Sequence, residues 1–586
     1  MATPTRRGAS SPPIPARSSG APNPDAPAAP GDGATSPDPR RWFGLAALAA
    51  GLSMIVLDGT IVGVALPQII TDLKLDLTDA QWVNSLYNVV FAALLLSFGR
   101  LGDRRGRRRI FLAGVVLFAA ASVTAGFATD ATSLIASRAV QGIGGAMVLP
   151  ATLSTVNATF RGKERATAFG IWGAVMAGMA AIGPLLGGWL TTNVSWRWIF
   201  FVNVPIALVV VGLGLYAVRE TSGDDQRPGM DVDGLLTSAL GFGLLVFGFI
   251  EGTSLGWWVP LAELRVGPLV WPASAPISAA PVAIALGVIF LTLFVIWERH
   301  RAGNGRSAII DLSLFRIGTF AWGNLTAMAV AVGEFALVFV LPLYLVNAAG
   351  LSVMQAGLVL AGMALGAFLS GASARHLAAA LGAPRVVVLG LGLEVVGTAV
   401  TGLLVRAQAA PGWLTVALAV YGVGLGLASA QLTSTVLRDV PTAQSGMGSA
   451  TQSTVRQVGA ALGAALAGST LAVRLGTVLA DRLRELPGLP AGVAEGLSHA
   501  TADSAGGAIV GLRAEGAHGR LGALGPDVVQ ALSDGFAAAT SSAIWLACGF
   551  LLLGLIGSLR VARSSRDSSP GSGAAASERT DAVQPA

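Results

Sequence analysis

The chain has 586 residues, of which 53% are hydrophobic and 12% charged, and a net charge of +6. Soluble chains carry about 25% charged residues and at this length divide into charged-surface domains, so one large soluble core is excluded. The arginines lie in short segments between apolar runs, a pattern that fits positive-inside retention and not a nucleic-acid surface.

Residues 1–39 are rich in Pro, Ala, Ser and Gly and read as a disordered tail. Arg6 and Arg7 are not followed by an apolar stretch, so no signal peptide is expected. Fourteen apolar runs follow, each near the roughly 20 residues that span a bilayer. They cover 42–66, 80–101, 109–128, 133–156, 166–190, 198–219, 232–252, 281–298, 320–347, 353–376, 385–404, 414–437, 444–475 and 535–559. One set of connections holds Arg40 and Arg41, Arg104 to Arg109, Arg161 to Arg165, Arg219, Arg299 to Arg306, Arg375, Arg385, Arg438 and Arg560. The opposite set holds little beyond Lys74, Arg197, Arg265 and Arg406. This alternation requires an even number of spans and places both termini in the cytoplasm. Segment 477–534 is too long and polar for a plain connection; it reads equally well as an extracellular cap or as a tolerated insertion. Residues 563–586 form a second polar tail. Cys548 is the only cysteine, so neither an internal disulfide nor a Cys-type metal cluster is expected. The sequence shows no phosphate-binding loop, no dinucleotide fingerprint and no histidine ligand spacing. No metal, no cofactor and no enzymatic activity are therefore expected.

Five stretches stand out. The first run contains Leu57-Asp58-Gly-Thr-Ile-Val-Gly-Val-Ala-Leu-Pro67. A carboxylate there costs roughly 2.5–3.5 kcal/mol to insert, so it faces a polar path and can exchange a proton. Between the second and third runs stands Gly99-Arg-Leu-Gly-Asp-Arg-Arg-Gly-Arg-Arg. Gly99 and Gly106 suit a tight backbone turn, and Asp103 is expected to accept N–H groups at a helix N-terminus. Arg104, Arg107 and Arg108 can pair with Asp103, with other acids or with anionic headgroups, which makes a charged lock. The fourth run holds Arg138-Ala-Val-Gln-Gly-Ile-Gly-Gly145; a buried arginine needs a carboxylate, and Asp58 is the candidate partner. The fifth run holds Gly183-Pro184-Leu-Leu-Gly187-Gly188, where proline removes a helical hydrogen bond and the glycines permit close packing. Trp196-Arg-Trp-Ile-Phe-Phe-Val-Asn-Val-Pro205 opens the sixth run and reads as an aromatic interface anchor. Glu334, Glu394 and Arg456 add charge in later runs, as a second proton site or a counter-charge for a cation. Each also admits a structural reading: Asp58 bonding a neighbouring helix, Arg138 in a fixed ion pair, small residues that only pack.

Taken together, these stretches resemble the major facilitator superfamily, and within it the fourteen-helix drug:proton antiporters, over residues 42–559. The resemblance implies an all-α polytopic membrane protein. Two six-helix bundles, 40–219 and 316–562 (the second including segment 477–534), would face a central cavity, with two additional helices inserted in a linker, 220–315. It implies a monomer in a bacterial inner membrane, contacting lipid, small-molecule substrate and protons, and no nucleic acid. The transported molecules would be hydrophobic and often cationic, exported at the expense of the proton gradient. Asp58 and Arg138 would serve proton coupling, the basic turn a conformational gate, and Gly183 to Gly188 the antiporter signature. The chain departs from the family pattern at Gly63, where Asn is usual, at Gly102, where Ala is usual, and at Met179, where Gly is usual. A dedicated exporter of one metabolite (an antibiotic, amino acid or lipid) and a non-transporting receptor on the same fold remain alternatives.

Overall fold

The computed structural model describes residues 40–160, 162–221, 231–266, 269–306, 308–441 and 444–567. The sequence readings for 1–39 and 568–586 lie outside the described residues. The chain forms α1 (Arg40–Leu73), α2 (Leu77–Arg105), α3 (Arg107–Gly126), α4 (Ala131–Thr159), α5 (Gly162–Asn193), α6 (Trp198–Phe201) and α7 (Asn203–Ala217). Then come α8 (Val232–Glu251), α9 (Ala279–Gly303), α10 (Gly318–Leu343), α11 (Val353–Leu381), α12 (Ala383–Leu404) and α13 (Pro411–Val436). The last are α14 (Ser445–Arg484), α15 (Ala491–Asp503), α16 (Gly507–Glu515) and α17 (Gly525–Asp567). Thirteen helical segments among the described residues are long and apolar enough to cross a membrane, with α6 and α7 forming one of them. The 32-residue α5 stands between the fourth and fifth of these. Large apolar side chains such as Leu208, Leu403 and Leu553 lie exposed on the perimeter, which suits hydrocarbon and not water.

Local signals set the helix starts. Asp76 caps α2 in a reciprocal box with Asp79, and Ser352 does the same for α11 with Gln355. Asp130 caps α4 through the Ser133 N–H at 2.8 Å. The α2–α3 turn depends on Gly106, whose φ of +109° is in a region closed to other residues.

The early helices pack mainly among themselves, α3 on α4, α2 on α4, and α1 on α5 and α7. The later ones do the same, α11 and α12 on α13, and α10 and α14 on α17. The two groups meet where α5 lies on α11 and α2 on α14. α8 and α9 pair with each other, and α8 covers the α2–α14 seam: Val246 and Ile250 pack with Val89, Ala461 and Ala465. Trp82 of α2 donates to Glu251 at 2.8 Å, and Ser469 of α14 donates to the Phe249 carbonyl.

Segment 477–534 is not a loop throughout. α14 continues to Arg484 and α17 starts at Gly525, with α15 and α16 between them. Leu475, Leu479 and Leu483 form a buried i, i+4 stripe facing Val528, Leu532 and Phe536. The other face of these turns is polar, so an apolar-run criterion ends the spans too early. α17 likewise runs to Asp567, past the expected tail boundary at 563. A short antiparallel hairpin, β1 (Leu264–Val266) with β2 (Leu269–Trp271), lies in the connection between α8 and α9; the sequence reading did not include it.

Candidate functional site

Asp58 of α1 and Arg138 of α4 meet in the interior, with side chains 0% and 1% exposed. Arg138 Nη1 donates to Asp58 Oδ2. Gln141 Nε2 and Asn203 Nδ2 each donate to Asp58 Oδ1 at 3.1 Å. Both amides also donate to Ser122 Oγ, at 2.8 and 3.1 Å. Arg138 is held further by Gln141 Oε1 at 2.8 Å and the Val83 carbonyl at 3.3 Å. Its guanidinium lies 4.3 Å from the centre of the Tyr87 ring. Five helices thus converge on one carboxylate. Close approach makes this possible: a Cβ at Gly142 would sit 2.7 Å from the Tyr87 carbonyl, and one at Gly144 2.9 Å from that of Gly114.

Such a network balances a buried charge on all sides, which an isolated carboxylate in hydrocarbon could not survive. Asp58 is acceptor-only while ionised; a proton on it removes the charge that holds Arg138. Gln141 lies inside the Arg138 stretch and Asn203 inside the Trp196–Pro205 string. Sequence reasoning gave the first no role and the second only an anchor's. Trp196 is buried, and its Nε1 donates to Asp72 at 2.8 Å, as does Arg197 Nη1.

The Gly183 stretch lies beside this network. A Cβ on Gly183 would fall 1.9 Å from Thr60 Oγ1, and one on Gly187 2.8 Å from Ile61. One on Gly188 would meet the Met354 Cα at 3.2 Å, and the Pro184 carbonyl lies against Gly357. This face of α5 therefore wedges between α1, two residues past Asp58, and α11.

In the basic turn the expected pairing of Asp103 with an arginine is present, while the expected cap on a helix N-terminus is supplied by another acid. Asp103 accepts from Arg107 Nε at 2.7 Å, one turn on, because it is still inside α2 and points along it. The N-terminus of α3 is instead held by Glu220: the Arg108 N–H donates to Glu220 Oε1 at 3.0 Å. Arg107 N–H donates to the Thr221 carbonyl at 3.0 Å, and Arg107 Nη1 reaches Ser154 on α4 at 3.3 Å. Gly106 is doubly required, since a Cβ there would lie 2.6 Å from the Glu220 carboxyl. Gly99 faces Pro150 of α4, and Arg104 lies beside Asp231 and Val232 at the start of α8.

In the later helices Glu334 of α10 pairs with Arg456 of α14 at 3.0 Å. This pair is accessible, with side chains 15% and 44% exposed. Glu394 of α12 is buried, and neither of its carboxyl oxygens has a hydrogen-bond partner. The Thr398 and Tyr421 hydroxyls are buried and unpartnered as well. Glu334 and Arg456 are near enough to act on Glu394 electrostatically. The candidate residues thus fall into two systems, Asp58–Arg138 and Glu334–Arg456–Glu394, on different helices.

The profile of the Major Facilitator Superfamily matches residues 48–464. The multidrug efflux pump LfrA of Mycolicibacterium smegmatis is 31% identical over 80% of this chain and 87% of its own. The tetracenomycin C resistance and export protein of Streptomyces glaucescens is 30% identical over 76% and 79%. The riboflavin transporter RibZ of Clostridioides difficile is 30% identical over 74% and 89%. Among solved structures, a bacterial homologue of the human lysosomal transporter Spinster, inward-facing and occupied, overlays with a TM-score of 0.58. It is 18% identical and covers 91% of this chain and 99% of that one. The chain is a multi-pass membrane transporter and belongs to the major facilitator superfamily.

Proposed function

We propose that the chain exports hydrophobic, often cationic drugs or toxic small molecules in exchange for protons, by alternating access and without a cofactor. The observation that carries this reading is the sealed Asp58–Arg138–Gln141–Asn203 network. A carboxylate so placed is a switch with two settings. Ionised, it binds α1 to α4 and α7; protonated, it releases Arg138. Removing one partner of a buried pair costs about 3–5 kcal/mol. A proton crossing the membrane potential supplies about 2.3 kcal/mol per 100 mV, with the pH gradient adding to it. The two magnitudes are comparable, so proton entry can drive the rearrangement.

The accessible Glu334–Arg456 pair suits the substrate end of the exchange: a cation entering beside Glu334 takes the place of Arg456, and Glu394 supplies a further acid. The arginine-rich turn marks the cytoplasmic end, in the inner membrane of a bacterial cell with both termini inside and the protein acting as a monomer. The contacts of Gly188 with Met354 and of Gln81 with Gly468 then close the outer end between the 40–219 and 316–562 bundles. The relatives named for multidrug efflux and for tetracenomycin C export support an export direction.

Ethidium uptake into everted vesicles containing the full chain tests this. Uptake is expected to stop with a protonophore and to be lost in Asp58→Asn at normal expression. Protonophore-insensitive uptake, or proton-driven uptake by Asp58→Asn, refutes the coupling. An inactive parent that moves one natural product instead would select the dedicated exporter.

A further inference from the structure

The perimeter of the early helices carries an apolar groove of about 580 Å³ between α3, α4 and α7, lined without a polar residue. Its shape follows from the sequence. Arg109, Ala113, Val116 and Ala120 recur at helical spacing and share one face of α3. Ala113 and Ala120 are short, and a Cβ added at Gly212 on α7 would meet nothing within 4 Å. Val211 and Leu215 form the far wall and Met147 the inner one. From Leu112 to Ala120 the groove follows α3 for about 12 Å at 1.5 Å per residue. That is most of the roughly 15 Å depth of one hydrocarbon leaflet.

The mouth of the groove is cationic. Arg108 Nη2 donates to the carbonyl of Leu215, a groove residue, at 3.2 Å. Arg109 lies one turn above Ala113 with its side chain 80% exposed, 3.8 Å from Glu220. Arg40 stacks on Tyr216, 5.2 Å from the ring centre. Arg108 and Arg109 thus stand beside Glu220 at the end of this shallow groove, with Arg40 on Tyr216, the residue after Leu215.

We propose that this groove seats one phospholipid with an anionic headgroup, its acyl chain along α3 and its phosphate over Arg109 and Arg40. The charge at the mouth selects the headgroup. Hydrocarbon gains little by exchanging lipid tails for leucine, so discrimination rests on the arginines, each contributing roughly fivefold near an anionic surface. Glu220 also holds the N-terminus of α3, so a phosphate that draws Arg109 away acts on the same carboxylate as the basic turn. The site is independent of what the chain transports.

Native mass spectrometry of the full chain in an equimolar mixture of phosphatidylglycerol and phosphatidylcholine tests the proposal. One phosphatidylglycerol should be retained preferentially. Arg109→Gln and Arg40→Gln should each reduce that preference roughly fivefold. Ala120→Trp, on an exposed position, should remove the retained lipid while gel filtration shows the chain still folded. Equal retention of both lipids, an unchanged preference in the two arginine variants, or an unchanged lipid count in Ala120→Trp would overturn it.

Discussion

Replacing Gly183 with alanine tests the crossing that places α5 against α1. The new Cβ would stand 1.9 Å from Thr60 Oγ1 and 2.8 Å from Thr60 Cβ, both closer than atoms approach. Thr60 is not free to turn aside: its hydroxyl donates to the Val56 and Leu57 carbonyls at 3.2 and 3.1 Å. Either that rotamer is abandoned or α5 withdraws, and overpacking of this kind costs about 1–3 kcal/mol. Thr60→Gly removes both clashing atoms and leaves the Ile61 nitrogen at 3.5 Å as the next neighbour, an ordinary contact. Alone it weakens the helix by only about 0.3–0.5 kcal/mol, the difference between Gly and Thr propensities. The pair should therefore couple favourably, with the double variant more stable than Gly183→Ala. The assay is the apparent unfolding temperature in detergent at one scan rate, since irreversible unfolding makes the midpoint rate-dependent. Gly183→Ala is expected to fall by a few degrees and Gly183→Ala with Thr60→Gly to recover most of it. A Gly183→Ala protein as stable as the parent, or no recovery in the double variant, refutes the geometry.

Other perturbations separate the parts of the site. Arg138→Gln leaves Asp58 buried without its cation and should destabilise by about 3–5 kcal/mol; adding Asp58→Asn should restore the unfolding temperature, and a double variant no better than the single would deny the pairing. Glu334→Gln removes the partner of Arg456, whose side chain is 44% exposed, so stability should change by about 1 kcal/mol or less, while the half-saturating concentration rises for cationic dyes and not for neutral ones. Gly106→Ala meets both a φ closed to alanine and the Glu220 carboxyl; backbone strain alone is about 1–3 kcal/mol, so Glu220→Ala should recover only part of the loss, and full recovery would show the backbone to be unstrained. Arg513 donates to the Asn347 and Ala348 carbonyls at 3.2 and 2.9 Å; Arg513→Ala should speed hydrogen exchange across 344–351 with the rest of α10 unchanged.

The spans were legible because their signal is local: an apolar run and alternating arginines need no knowledge of neighbours. Gly106 was legible for the same reason, since a turn between two charged helix ends leaves few residue types. Partners distant in sequence were not. Gln141 and Asn203 are ordinary polar residues whose common acceptor, Asp58, lies 83 and 145 positions away in sequence. Only the packing of α4 and α7 against α1 brings them to it. Asp103 was read both as an N-terminal cap and as a partner of the arginines; because α2 runs two residues past it, only the second holds, with its carboxyl on Arg107. Glu220 took the capping place from across the bundle, and nothing near it in the sequence announces that. The stretch 479–486 was legible as helix-like, but the continuity of α14 and α17 beyond the apolar runs was not, because these extensions bury leucines on one face rather than presenting apolar surface all round.

The contrast in exposure between the two charged systems assigns them different work. Asp58 is enclosed by Arg138, Gln141, Asn203 and Ser122, with Tyr87 against the guanidinium, and nothing of drug size can reach it without separating α1 from α4. A proton can, because it needs only a transient chain of polar groups. Arg456 is 44% and Glu334 15% exposed, so this pair is less enclosed than Asp58. In the proposed exchange a substrate cation would therefore act at Glu334, while exchange at Asp58 would be tied to helix movement. The glycine face of α5 links the two: it touches α1 at Thr60 and Ile61, next to Asp58, and α11 at Met354 and Gly357. In the proposed cycle, loss of the Asp58–Arg138 tie would let α1 shift, and with Gly183 against Thr60 and Gly187 against Ile61 α5 would follow. Flexible side chains at this crossing would absorb the shift locally. Glycines leave only backbone and short side chains to move, so displacement on α1 is passed to α11.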